Sequence, residues 1–191
     1  MNPKDQIKNI FSQMVKMSED EWLYFSERLV HKKYKKKEII TGFNQLENKL
    51  CYLVNGIVRH IVDPLNETTI AFTFPGNFFS NYDSFISRKT GIIEIRAITP
   101  IVECYYISYN SLQEVYENTS CGDRIGRLAA EQQYLKKSSR EISFLTLSPK
   151  EKYLQLMDEQ PHLLESIPLK YLASYMGITP ETLSRVRASI S

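Results

Sequence analysis

The chain has 191 residues, 42% of them hydrophobic and 24% charged, and a formal net charge of +2 at pH 7. This composition supports a folded core and argues against a disordered or polycationic chain, so any nucleic-acid binding has to come from a local patch. Three scattered cysteines, Cys51, Cys104 and Cys121, form no CxxC pair and read as reduced thiols, and neither a metal nor a cofactor is expected.

The N-terminus, Met1 to Val15, is too polar for a signal peptide, and no run of about 18 apolar residues could span a membrane. A cytoplasmic location without membrane contact is therefore expected. Ile7, Ile10, Phe11 and Met14 have the spacing of a one-sided helix. Ser18 and Glu21 form a capping-box pattern that opens a second helix through Trp22, Phe25 and Leu29. The basic run Lys32-Lys33-Tyr34-Lys35-Lys36-Lys37 reads either as a nucleic-acid patch or, as preferred here, as a solvated approach to a strand.

From Glu38 to Ser108 short Ile-, Val-, Tyr-, Phe- and Thr-rich runs alternate with turn residues. Expected strands are Leu50–Val54, Ile57–Val62, Thr68–Phe74, Ile92–Ala97 and Ile101–Ile107, with turns at Asn55-Gly56, Asp63 to Glu67 and Pro75-Gly76. Many short strands with little helix between them indicate a barrel or sandwich. Helix resumes at about Ser111. Ile125, Leu128, Gln132, Leu135, Ser139 and Ile142 then follow the a/d spacing of a coiled-coil seam on a helix from about Gly122 to Phe144. Such a seam can pack on the chain's own barrel or on a second copy; its length favours a homodimer. The helix is expected to end near Thr146, where Ser148-Pro149-Lys150-Glu151 starts another.

The segment Pro168 to Arg187 carries the clearest functional pattern. Ala173 is small enough for a close helix crossing, Gly177 suits a left-handed turn, and Thr179-Pro180 can start a second helix. Leu172, Met176, Ile178, Leu183 and Val186 are placed to face inward. These offsets fit a DNA-binding helix-turn-helix, with a plain helical hairpin as the simpler alternative. Thr179, Glu181, Thr182, Ser184 and Arg185 are then free to meet DNA, and Lys170 on the preceding helix can reach a phosphate.

The order of barrel, long helix and helix-turn-helix resembles the Crp/Fnr family of bacterial regulators over nearly the whole chain. The resemblance is carried by Leu53-Val-Asn-Gly-Ile-Val-Arg59, Phe74-Pro-Gly-Asn-Phe-Phe79, Ile95-Arg-Ala97, Ile107-Ser-Tyr109, the Leu145-to-Tyr153 junction and, most specifically, Ile167 to Arg187. It implies an α+β chain: a cyclic-nucleotide-binding-like β-roll or jelly-roll sensor over residues 1–120, a dimerisation helix over 121–146, and a helix-turn-helix over 147–191 lacking most of the wing. It also implies a palindromic DNA site, contact with RNA polymerase and a small-molecule effector. By the same resemblance, Glu181 and Arg185 match base-contacting positions.

The sequence departs from cAMP-binding relatives at the positions that matter for that ligand. Where they carry Gly-Glu it reads Ser80-Asn81, and their Arg-Ser pair aligns near Gly91-Ile92; the purine-contact position reads about Leu135-Lys136. A cyclic phosphate would lack its bidentate partner. The expected effector pocket is instead lined by Phe72 and Phe74 with Asn81 and Arg96, and Arg88 or Lys136 is the available substitute cation. From Pro149 onward five basic residues stand against five acidic ones, so the DNA-binding part has no bulk electrostatic attraction. A non-enzymatic regulator is expected; the alternative is a small-molecule-binding module with a vestigial helix-turn-helix, acting through protein contacts.

Overall fold

A computed structural model describes residues 2–190. Two helices, α1 (Pro3–Met14) and α2 (Glu19–Ser26), lead into the strands β1 (Val30–Lys35), β2 (Ile39–Thr41), β3 (Lys49–Asn55), β4 (Val58–Val62), β5 (Thr68–Thr73) and β6 (Phe78–Phe79). A short helix α3 (Tyr82–Ser87) precedes β7 (Glu94–Ala97) and β8 (Ile101–Ser108). The rest is helical: α4 (Tyr109–Asn118), α5 (Gly122–Thr146), α6 (Pro149–Glu159), α7 (Pro161–Ser166), α8 (Leu169–Met176) and α9 (Pro180–Ala188).

The strands form two four-stranded antiparallel sheets, ordered β1-β8-β3-β6 and β2-β7-β4-β5. Alternation along the strands sends Leu53, Val58, Ile95, Ala97, Val102 and Cys104 into a buried core between them. A second cluster joins Ile7, Phe11, Phe25, Tyr52, Ile107 and Leu112, fastening α1, α2 and α4 onto the roll. The Ser18–Glu21 capping box forms in full and the Glu21 carboxylate also accepts from Ser120 at 2.8 Å, so α2 is tied to the start of the long helix. The three cysteines are buried and unpaired.

The five expected strands and the long helix are present, each within about two residues of its expected ends. The Lys-rich run is itself strand, β1, as far as Lys35, and only Lys36-Lys37 form a turn that approaches β2. The strand lies at a sheet edge, where lysines deter pairing with another chain. The second helix stops at Ser26 instead of Leu29. Among the described residues, no helix is long and apolar enough to cross a membrane.

Candidate nucleic-acid interface

The junction after α5 is built as its sequence suggests. Leu147 is extended, and Ser148 and Glu151 form a complete capping box that starts α6 with Pro149 in its first turn. A third core gathers Tyr153, Leu156, Leu163, Ile167, Leu172, Ala173, Met176 and Leu183. Leu172, Ala173 and Leu183 are essentially inaccessible, so α8 and α9 cross closely around the small Ala173. Gly177 ends α8 in the left-handed region at φ 69°, and the Thr179 side chain accepts from the Thr182 backbone N–H at 3.2 Å to start α9.

This turn leaves one face of α9 in solvent. Glu181, Ser184 and Arg185 are exposed on it and Thr182 is half-buried. The Ser184 hydroxyl donates to the Pro180 carbonyl at 3.0 Å, which leaves Arg185 and Glu181 as the long polar groups on that face. The Glu181 carboxyl is held below its usual range, first by its own backbone N–H and then by the Thr179 hydroxyl, with Arg185 adding a smaller effect. It is an acceptor at neutral pH, and Arg185 is a fork of donors, which suits base edges. Lys170 lies apart from this group, on the exposed side of α8 nearest the β4–β5 loop.

The helix-turn-helix sits directly on the β-roll. The Thr69 backbone N–H donates to Ser174 Oγ at 2.8 Å, Phe72 meets Tyr175 with ring centres 5.6 Å apart, and Phe74 meets His162 edge-on at 4.5 Å. Arg140 of α5 donates to the Tyr175 carbonyl at 3.1 Å. Below α8, a chain of charges crosses the outer face of the sheet. Glu94 accepts from Arg96 at 2.7 Å, Arg96 reaches Glu67 at 2.8 Å, and Glu67 accepts from Arg59 at 3.2 Å. The Arg59 guanidinium stacks on Tyr171 at 4.0 Å.

These contacts correct the expected effector pocket. Phe72, Phe74 and Arg96 do not line a cavity inside the roll; they face outward, beneath the C-terminal helices. On the inward side of the same strand pair Val58 joins the core between the sheets, and Thr73 meets the buried His60 ring at 3.0 Å. A bulge between His60 and Ile61 shifts the register of this strand pair, and Phe72 stands opposite Arg59, whose guanidinium also lies on the outer face.

A separate hollow of about 260 Å³ lies over the segment from Asn81 to Ile93. Asn81 is the one expected pocket residue that lines it. Its Nδ2 donates to the Ile93 carbonyl at 3.3 Å, and a Cβ on Gly91 would overlap the same amide. Arg88 is turned away and committed: it donates to the Glu47 carbonyl at 2.8 Å and lies 3.8 Å from the Tyr109 ring centre. Lys136 is exposed on α5 and does not line this hollow.

Sequence reasoning missed Glu47, a buried carboxylate that accepts from Thr41 Oγ1 at 2.6 Å and from the backbone N–H groups of Asn48 and Lys49, each at 3.0 Å. A lone Glu in a polar loop gives no periodic signal for such a role. On α5, Ile125 is half-buried on the second core, while Leu135 is 66% and Ile142 59% exposed. Leu128 is half-buried; Gln132 and Ser139 are exposed. No group of three or more potential metal ligands occurs among the described residues.

No family model and no curated protein matches the sequence. Solved structures do match the fold. The c-di-GMP responsive global regulator CLP of Xanthomonas campestris is 17% identical, with 91% of each chain covered and a TM-score of 0.67. FixK2 from Bradyrhizobium japonicum is 19% identical over 85% of this chain and 84% of its own, with a TM-score of 0.69. The catabolite activator protein of Thermus thermophilus is 18% identical over 91% of this chain and 84% of its own, with a TM-score of 0.55. The chain therefore has the fold of the Crp/Fnr regulators: an antiparallel β-roll, a long helix and C-terminal helices.

Proposed function

We propose that this protein is a homodimeric DNA-binding transcription regulator of the Crp/Fnr type whose effector is not cAMP. The observation that carries the reading is the helix-turn-helix geometry: Gly177 in the left-handed region, Thr179 capping α9, a closed core under Leu183, and Glu181 and Arg185 together on the free face. Arg185 is assigned to a base edge, Glu181 beside it, and Thr179, Thr182 and Ser184 to phosphate or neighbouring bases. Lys170 is assigned to phosphate.

Dimerisation through α5 is supported by the apolar seam that the single chain leaves open at Leu135 and Ile142. A two-fold axis along α5 gives two α9 helices and hence a palindromic site with half-sites about one DNA turn apart. Loss of cAMP chemistry is supported by Asn81 filling the space beside Gly91 and by the commitment of Arg88 elsewhere. Neither feature suggests an enzyme.

The test is selection of bound sequences from a random DNA pool by the full chain, followed by gel shift on the winners. A palindromic consensus supports the proposal, and recovery of no consensus overturns it. In that event the near-neutral C-terminal segment and the docking of α8 on β5 favour the second reading, a binding module that signals through protein contacts.

A further inference from the structure

We propose that Cys51 and Cys104 form a reversible redox site inside the β-roll, where a peroxide oxidises the two thiols to an internal disulfide and a low-molecular-weight thiol reduces it. The two side chains come from β3 and β8, the neighbouring middle strands of one sheet. Cys51 pairs with Tyr106 and Leu53 with Cys104, so the cysteines are diagonal neighbours on one face of the ladder. That face is the inward one, and both residues belong to the core between the sheets. There the two thiols are hydrogen-bonded to each other.

Their surroundings make the two unequal. The Cys51 S–H donates to Cys104 and holds the Cys104 thiol below its ordinary range against the effect of burial; Lys49, and Lys32 opposite it on β1, act in the same direction. The same bond, together with burial, pushes Cys51 well up. Cys104 is thus the attacking thiolate and Cys51 the resolving thiol. With hydrogen peroxide, an S–O bond forms at Cys104 as the O–O bond breaks, and hydroxide leaves and takes up the proton that Cys104 gave. Cys51 then attacks the sulfenic sulfur, the S–S bond forms, and the sulfenic oxygen departs as a second water with the Cys51 proton. Two thiols lose two electrons in all, and one peroxide is reduced to two waters.

Both thiols are covered, so a small oxidant reaches them by opening of the sheet edge. Phe79 lies opposite Cys51 on β6, an edge strand of two residues, and release of so short a strand uncovers Cys51. A disulfide across a diagonal also draws together two Cβ atoms that the ladder holds farther apart. The register of β3 on β8 already shifts between Leu53 and Asn55, which gives β3 room to move. The bond is therefore strained, and strained disulfides are the ones that small thiols reduce. None of this depends on the DNA-reading proposed above.

The test uses the full chain, reduced and freed of reductant, with hydrogen peroxide in molar excess. Samples are then denatured, alkylated with N-ethylmaleimide and weighed intact. The oxidised chain should take up one maleimide in place of three, one for each cysteine of the sequence. Peptide mapping should link Cys51 to Cys104 and find Cys121 alkylated. Reduced glutathione in excess should restore all three thiols. Cys121→Ser, which leaves the core of the roll untouched, should form the same bond at the same rate. Three maleimides after peroxide treatment would overturn the site. So would a link through Cys121 or between chains, a sulfinic or sulfonic product at either cysteine in place of the bond, or a Cys51–Cys104 bond that glutathione does not reduce.

Discussion

The ring of Phe144, at the end of α5, occupies the space that a Cβ on Gly177 would enter. The turn of the helix-turn-helix is thereby pressed against the last turn of the long helix. Phe144 is itself held between Arg140 at 5.6 Å and Lys152 at 4.2 Å. Gly177→Ala should thus cost stability twice, about 1–2 kcal/mol for a left-handed non-glycine residue and roughly 1 kcal/mol or more for overlap with the ring. Phe144→Ala in the same chain removes only the second cost. Denaturant titration of the two single variants and the double variant separates them. Strict additivity would mean that the ring contact carries no energy.

His60 provides a pH-dependent test of the roll. It is buried against Thr73 and Phe79, and burial, with a smaller push from Lys137, lowers its pKa to about 4. In the unfolded chain it titrates near 6.5. The unfolded state therefore takes up a proton first as pH falls. The stability tied to neutral His60 is complete above pH 6.5 and is lost progressively down to about pH 4, by roughly 3 kcal/mol. Wild-type stability minus that of His60→Gln, measured by urea unfolding at several pH values, should fall across this window. A difference independent of pH would show that His60 is not buried as a neutral ring.

What could be read from the sequence followed from local rules. The capping boxes at Ser18 and Ser148, the glycine at 177 and the cap at Thr179 each act within a few residues, and each forms. The strands were legible from their composition, but their facing was not. Phe72 stands opposite Arg59 and packs on Tyr175 under the C-terminal helices, and the bulge beside it, between His60 and Ile61, has no local mark in the sequence. The charge chain from Glu94 to Arg59 joins residues from three places in the sequence and closes under a helix more than 100 residues away, so no spacing rule could show it.

The exposed seam predicts a dimer. Each apolar side chain that becomes fully buried there should contribute about 1.5–3 kcal/mol. Leu135→Glu combined with Ile142→Glu should give monomers in sedimentation while far-ultraviolet circular dichroism stays unchanged, because both side chains are exposed in the single chain. A wild-type protein that sediments as a monomer at tens of micromolar would contradict the pairing.

Asn81 and Gly91 together predict that cAMP and cGMP do not bind with micromolar affinity. The amide fills the gap, and Arg88 is engaged with the Glu47 carbonyl and Tyr109 instead of facing it. Calorimetric titration should show no heat beyond dilution. A micromolar cAMP isotherm would require Arg88 to leave these partners, and Arg88→Ala would then have to abolish it.

The decisive comparison concerns Arg185 and Lys170, which lie on different helices and have different assigned partners. Arg185 is exposed on the free face of α9, one turn beyond Glu181, where a guanidinium can donate twice to a guanine. Losing that pair should cost roughly 1–3 kcal/mol on the selected operator and relax preference at one position in each half-site. On scrambled DNA, Arg185→Ala should have little effect. Lys170 stands on the exposed side of α8 nearest the β4–β5 loop and can offer DNA only a charge. Its removal should weaken operator and scrambled DNA alike and lower the slope of log affinity against log salt by about one. Fluorescence anisotropy of both variants on both DNAs, at several salt concentrations, reads all of these quantities. If Arg185→Ala weakens the two DNAs equally, the side chain is contacting phosphate, and the reading of bases must be sought at Glu181 and Thr182.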